Sequence, residues 1–286
     1  MSGSEGDQGS TTQAAAADRQ SSRFSSTEGK IIVFRSAEGT LFNIHRRNLQ
    51  SVTDGPLAEN FPATPSEVVQ LTEEASTLET LFSFVYPGVY PSLKDMPVDE
   101  FMKVAEAAEK YRVAPAIGMC DMTIQLKMLF KHCPFHIIAH AHRHGHQDLL
   151  DLAGSFSLSE PATEARKVLS PSVFAIWIEF RDARLNAFYA ECNDIRFRSI
   201  HLYDDLPCPI WPRVVFALDK KVSDRGTNTV LDPSALFEGI QETAYCKSQG
   251  FRRQKTACEA QAKEWKNNMR DMAADIGPLS SFIAGE

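Results

Sequence analysis

Histidines crowd one stretch of this chain, from His132 to His146. His132, His136, His140 and His144 recur every fourth residue, so an uninterrupted helix would carry them in a single stripe. His142 and His146 add a second pair at the same spacing. Imidazoles one helical turn apart are the arrangement zinc favours, because both can turn a nitrogen toward one ion. The intervening residues argue the other way. Pro134 interrupts a helix after His132, Gly145 ends it before His146, and no glutamate follows a histidine in the H-E-x-x-H order of a zinc hydrolase. The expectation is therefore that these histidines cap, pack or face solvent and hold no stoichiometric metal. A metal-linked sensor built on the His-rich helix is the alternative, and proton-sensitive packing is a further use of such residues.

Other reactive side chains are more scattered. Cys192, His201 and Cys208 have the wide, irregular spacing of neither a zinc finger nor a knuckle, and isolated cysteines more often serve as small buried apolar groups. The chain has no G-x-S-x-G elbow, no phosphate-binding G-x-x-x-x-G-K and no glycine-rich dinucleotide fingerprint. Glu73-Glu74 and the Glu106/Glu109 pair fall at helix starts or on polar faces, where solvation and the helix dipole account for them. No catalytic, cofactor-binding or metal-binding residue is assigned, and the expectation is that the protein is not an enzyme; an enzyme is the least favoured reading.

The elements that carry these residues begin with IIVFRSAEGTLFNIHRRNL, residues 31–49. Ile31 to Phe34 and Leu41 to Ile44 flank a turn at Ala37-Glu38-Gly39, which predicts a β-hairpin. A helix follows from His45, with Leu49 and Val52 on one side. Ser76-x-x-Glu79 reads as a capping box that starts a helix with Leu78, Leu81, Phe82 and Val85 buried, before Pro87-Gly88. Phe101, Val104, Ala105, Ala108 and Tyr111 repeat that spacing one helix later, and Pro115 opens another carrying Ile117, Cys120 and Ile124.

That order of motifs resembles a BTB/POZ domain, and in particular fungal (basidiomycete-type) BTB-domain-containing proteins. The resemblance rests on S-x-(D/E)-G-x-x-F-x-(V/I)-H at Ser36–His45, on R-x-x-L after it, on EVVQLTEEASTLETLFSFVYPGVYP, and on FMKVAEAAEKYRVAPAIGMC. It implies an α+β BTB/POZ fold, a small β-sheet covered by α-helices over residues 29–130, followed by a mainly α-helical extension over 131–286. It also implies protein–protein interaction: self-association as a homodimer, or recruitment of a partner such as a cullin in a ubiquitin-ligase adaptor, or a regulatory scaffold. His45, where such domains begin their first helix near the subunit-facing surface, and Leu49 and Val52 are the interaction candidates. The chain departs from the family pattern in Gly29-Lys30, where an aspartate often precedes the first strand, and in lacking a clear hydrophobic-x-Glu cullin element near FPATPSEVVQL.

Residues 1–28 are rich in Ser, Gly, Gln, Thr and Ala, with Phe24 the only aromatic, and read as a disordered tail. Past residue 131, Pro134 opens a helical stretch that Gly145 divides in two, and Ser170-Pro171 starts another helix burying Val173, Ile176, Trp177 and Phe180. Residues 199–233 support no firm assignment. The last stretch predicts a helix whose stripe of Phe251, Cys258, Ala262, Trp265, Met269, Met272 and Ile276 ends at Gly277-Pro278; it either docks on the preceding helices or grips a partner through Trp265. A net charge of −7 gives no basic footprint for nucleic acid. No apolar leader or membrane-length run is visible, and six cysteines without a C-x-x-C pair read as reduced thiols, so an intracellular protein is expected, in cytoplasm or nucleus.

Overall fold

The computed structural model describes residues 19–58, 67–197, 202–203, 206–208, 211–225, 233–239 and 257–283. The chain is α+β and divides into two compact units, residues 1–127 and 128–286.

The first unit is organised by a four-stranded sheet in the order β1-β3-β2-β4. Its centre is the hairpin of β2 (Ile31–Arg35) and β3 (Thr40–His45), paired antiparallel with Phe34 opposite Phe42. Gly39 supplies the positive φ of +88° that the turn requires. Strand β4 (Val68–Gln70) runs parallel to β2. The remaining strand narrows the reading of residues 1–28 as a disordered tail, for its last part, residues 19–28, is placed on the sheet: β1 (Arg19–Gln20) pairs parallel with β3. Behind it, Phe24 is buried within about 6 Å of the Phe42, Phe82 and Tyr86 rings. One aromatic in a polar stretch is enough to anchor it when the sheet offers both an open edge and an aromatic pocket. Residues 1–18 lie outside the described residues.

Helices α1 (Arg46–Val52), α2 (Ala75–Ser83), α3 (Val98–Lys110) and α4 (Ala114–Leu126) complete the unit. Phe82 of α2 lies in a cluster with Phe34 and Phe42, at ring separations of 5.4 and 5.5 Å. The capping box at Ser76 and Glu79 does not form. Helix α2 starts at Ala75, and the Ala75 N–H donates to Glu38 Oε2 at 2.6 Å, so the carboxylate of the hairpin turn caps it from a distance in sequence. Glu79 instead accepts from the Ser21 hydroxyl at 2.9 Å. Local spacing cannot foresee a cap supplied by another element.

The turn before α2 is tied to the end of α3 through Glu73. Its carboxylate accepts from Tyr111 Oη at 2.5 Å and from Lys110 Nζ at 2.6 Å. Burial alone would raise the Glu73 pKa, but those two hydrogen bonds and the Lys110 charge outweigh it and hold the carboxyl below its usual value. Burial, with the adjacent carboxylate, pushes the Tyr111 phenol well above its ordinary range, so it remains a donor. Removing this donor in Tyr111→Phe is expected to cost about 1.5–3 kcal/mol at neutral pH, as for a hydrogen bond to a charged group. Because the folded pKa of Glu73 lies below the unfolded one, its contribution is complete above pH 4.5 and is lost as pH falls through the folded value. Thermal melts of wild type and Tyr111→Phe from pH 7 to pH 3 should therefore converge at the acid end.

Among its described residues the second unit is helical apart from one short antiparallel strand pair: α5 (Leu129–His132), α6 (Pro134–His144), α7 (Gln147–Ser157), α8 (Ala162–Val168), α9 (Pro171–Phe197), β5 (Leu202–Tyr203), β6 (Leu206–Pro207), α10 (Trp211–Arg225), α11 (Pro233–Phe237), α12 (Ala257–Ile276) and α13 (Leu279–Ile283). Pro134 opens α6, and Gly145 at φ +77° separates it from α7, as the sequence predicts. Val173, Ile176, Trp177 and Phe180 bury one face of α9. The fully buried Trp177 meets Phe135 edge-on at 5.1 Å, and its indole N–H donates to Ser157 Oγ at 2.8 Å. The C-terminal helix α13 is held on α7 because Asp151 accepts from both the backbone N–H and the hydroxyl of Ser280, each at 2.8 Å. Within 199–233, β5, β6 and α10 occupy residues for which the sequence supported no assignment. Among the described residues no helix is long and apolar enough to cross a membrane.

Candidate functional site: an apolar helix face

The interaction candidates His45, Leu49, Val52 and Trp265 end up in four different settings. His45 sits between β3 and α1, half-buried, and its bonds run to a side chain rather than to the backbone partner that its position suggests. Tyr86 Oη accepts from the His45 backbone N–H at 3.1 Å and lies 2.9 Å from Nδ1. A hydroxyl that has accepted the backbone proton has its own proton to give, so the natural arrangement is Tyr86 donating to an unprotonated Nδ1. Burial raises the Tyr86 pKa, only partly offset by the backbone donor, which keeps that phenol protonated. The pair fastens the strand-to-helix corner to the segment after α2. Tyr86 was legible only as part of the F-V-Y-P run, not as a partner of His45.

Leu49 is fully buried and Val52 half-buried, so α1 turns its apolar side inward rather than offering it. Trp265 is also buried, in the second unit, with Trp211 at 6.3 Å and the Phe237 ring edge-on at 5.4 Å. The C-terminal stripe is therefore intramolecular from Cys258 to Met272: Cys258, Ala262, Trp265 and Met269 are buried and Met272 packs against the same cluster. Phe251 lies outside the described residues.

Exposed apolar surface gathers elsewhere, on α4. The inner side of this helix buries Ala116, Cys120, Thr123 and Ile124. Its outer side is apolar too. Met122 is 55% and Leu126 78% exposed, and half-buried Pro115 and Met119 extend the line at spacings of four, three and four residues. Gly118 lies exposed beside them, with nothing within 4 Å of the place a Cβ would occupy. The result is a low, apolar strip at helical spacing on which another helix can lie closely. A helix apolar on both sides belongs in a larger core or at an interface, and exposed apolar residues in a row, unlike scattered ones, mark the latter. Val89, 97% exposed at the turn after α2, is a separate apolar tip. The sequence alone showed α4 only as a core helix, because its inward spacing was complete without these residues.

Of the cysteine set, Cys208 lies 3.7 Å, sulfur to sulfur, from Cys258, and both residues are buried in the cluster around Trp265. His201 and the Cys192 side chain lie outside the described residues. Of the histidines, α6 and its following turn bring together His140, His144 and His146, whereas His132 ends α5, exposed. No family model matches this chain, and no curated protein matches it.

Proposed function

We propose that this protein is a protein–protein interaction module, with a first unit of BTB/POZ type and the α4 strip as its docking surface. The observation that carries the reading is the exposed Met122–Leu126 line on a helix whose other side already fills the core. The order of the first unit supports the BTB/POZ part: hairpin, short helix, parallel third strand, then three helices, with His45 at the strand-to-helix corner. Apolar residues at heptad-like spacing fit a helix-on-helix contact, either with a second copy of the chain or with a partner presenting its own apolar stripe. A cullin adaptor and a regulatory scaffold are the two roles such a module serves, and neither requires catalytic groups. The segment 61–66, where a cullin-binding element would begin, lies outside the described residues.

The test is the double variant Met122→Glu/Leu126→Glu. Both residues already meet water, so stability is expected to change by no more than about 0.5 kcal/mol per site. Sedimentation of the purified chain and capture of partners from cell extract, identified by mass spectrometry, are both read against wild type. A lower mass identifies self-association, and loss of a captured protein at unchanged mass identifies a partner. Unchanged mass and unchanged capture would reject the α4 strip as the docking surface.

A further inference from the structure

We propose that Cys208 and Cys258 are a site of reversible disulfide formation, a redox-controlled staple that locks α12 to the segment leading into α10. The two residues are 50 positions apart in the chain, and folding brings their sulfurs to 3.7 Å. Cys208 directly follows β6 and precedes α10, which starts at Trp211, while Cys258 is the second residue of α12. Both are thiols, and both are buried in the cluster that Trp211, Phe237 and Trp265 dominate. Cysteines serving only as small apolar filler have no need to meet one another. Here each sulfur has the other as a neighbour.

A disulfide bond is about 2.05 Å long, so the sulfurs must close by about 1.7 Å. Both cysteines stand at the margin of an element, where backbone yields more readily than in its middle. The oxidant is a hydroperoxide, small enough to enter when the cluster opens locally. One sulfur attacks it as the thiolate: an S–O bond forms, the O–O bond breaks, and the departing oxygen leaves as water once protonated. The second thiolate then attacks the sulfenic sulfur. The S–S bond forms, the S–O bond breaks, and hydroxide takes up a proton to leave as a second water. Two thiols and one hydrogen peroxide thus give one disulfide and two waters, the sulfurs oxidised and the peroxide oxygens reduced. An added dithiol reverses the step by exchange. The closed loop runs from Cys208 through α10 and α11 to Cys258, long enough for the cross-link to restrict the unfolded chain strongly.

Full-length protein is reduced, desalted and treated with hydrogen peroxide while folded, then capped with iodoacetamide in denaturant and digested without reductant. Mass spectrometry should find the Cys208 peptide joined to the Cys258 peptide. Thiol titration should show two of the 6 cysteines lost, and both recovered with dithiothreitol. The oxidised second unit should melt about 5–15 °C above the reduced one, as for a cross-link that closes a long loop. Cys208→Ala and Cys258→Ala should lose both the cross-link and the shift, whereas Cys133→Ala should keep both. The linked peptide is read on wild type, so the test stands even where an alanine variant fails to fold. Cys208 and Cys258 left as thiols, oxidised separately to sulfinic acids, or joined to other cysteines would overturn the proposal. A Cys208–Cys258 bond that leaves the melting temperature unmoved would overturn it as well.

Discussion

Leu49→Asp is expected to leave the first unit unfolded at room temperature. Leu49 is fully buried and is the one buried residue of α1, a seven-residue helix whose first turn has no side-chain cap. A helix that short has no stability of its own, so its attachment to β3 rests on this side chain. Truncating a buried leucine costs about 3–5 kcal/mol by itself. A carboxylate in its place adds several more, since an unpaired buried charge must either be neutralised or drag in water. That total reaches the roughly 5–15 kcal/mol by which a whole domain is stable. Circular dichroism melts of the full chain should show the first unit's transition abolished in Leu49→Asp and lowered in Leu49→Ala. It should be nearly kept in Leu49→Met, which conserves volume and is expected to cost less than about 1.5 kcal/mol. A folded Leu49→Asp with an altered oligomeric mass would instead place Leu49 at an interface. A partner lost together with the fold would say nothing about where the partner binds, which is why the α4 variants carry that question.

How much could be read beforehand follows the range of the interactions concerned. The hairpin was legible because β-branched and aromatic residues alternate around a glycine turn, and the registry of Phe34 with Phe42 follows from that turn. Stripes on α2, α3 and α9 were legible for the same reason: periodicity is written locally. What escaped was non-local. Phe24 is isolated in sequence and meets its aromatic neighbours only across the sheet. Glu38 caps a helix that starts at Ala75, and Tyr86 serves His45 from the far side of α2. Gly55 is another such case, since a Cβ there would stand 2.6 Å from the Tyr111 carbonyl oxygen, a clash between segments far apart in the chain. The interaction candidates fared according to the same rule. Spacing marks an apolar face but not what covers it, so Leu49 and Trp265, the best-marked, turned out to be the best covered. The α4 strip was hidden behind a complete inner face, and the histidine cluster behind a helix break that periodicity treats only as an end.

Trp265→Ala is expected to destabilise the second unit by about 3–5 kcal/mol, as for a buried aromatic removed to a cavity. Its ring lies between Trp211 and Phe237, so it joins α12 to α10 and α11, while α12 also packs along α9. Within the cluster it is the largest contribution from α12, flanked along the helix by Cys258, Ala262 and Met269. The indole N–H is buried without a hydrogen-bond partner among the described residues, so the residue contributes through apolar contact and ring geometry, and its polar edge subtracts from that. Trp265→Phe separates the two parts. It keeps an aromatic ring beside Phe237 and removes the unpartnered N–H, so its cost should fall well below that of the alanine variant. Chemical denaturation followed by the fluorescence of the remaining Trp177 and Trp211 should place wild type first, then the phenylalanine variant, then the alanine variant. An alanine variant as stable as wild type, with a bound protein lost from pull-downs, would mean that the stripe grips a partner in solution and that the packing around Trp211 and Phe237 does not hold it.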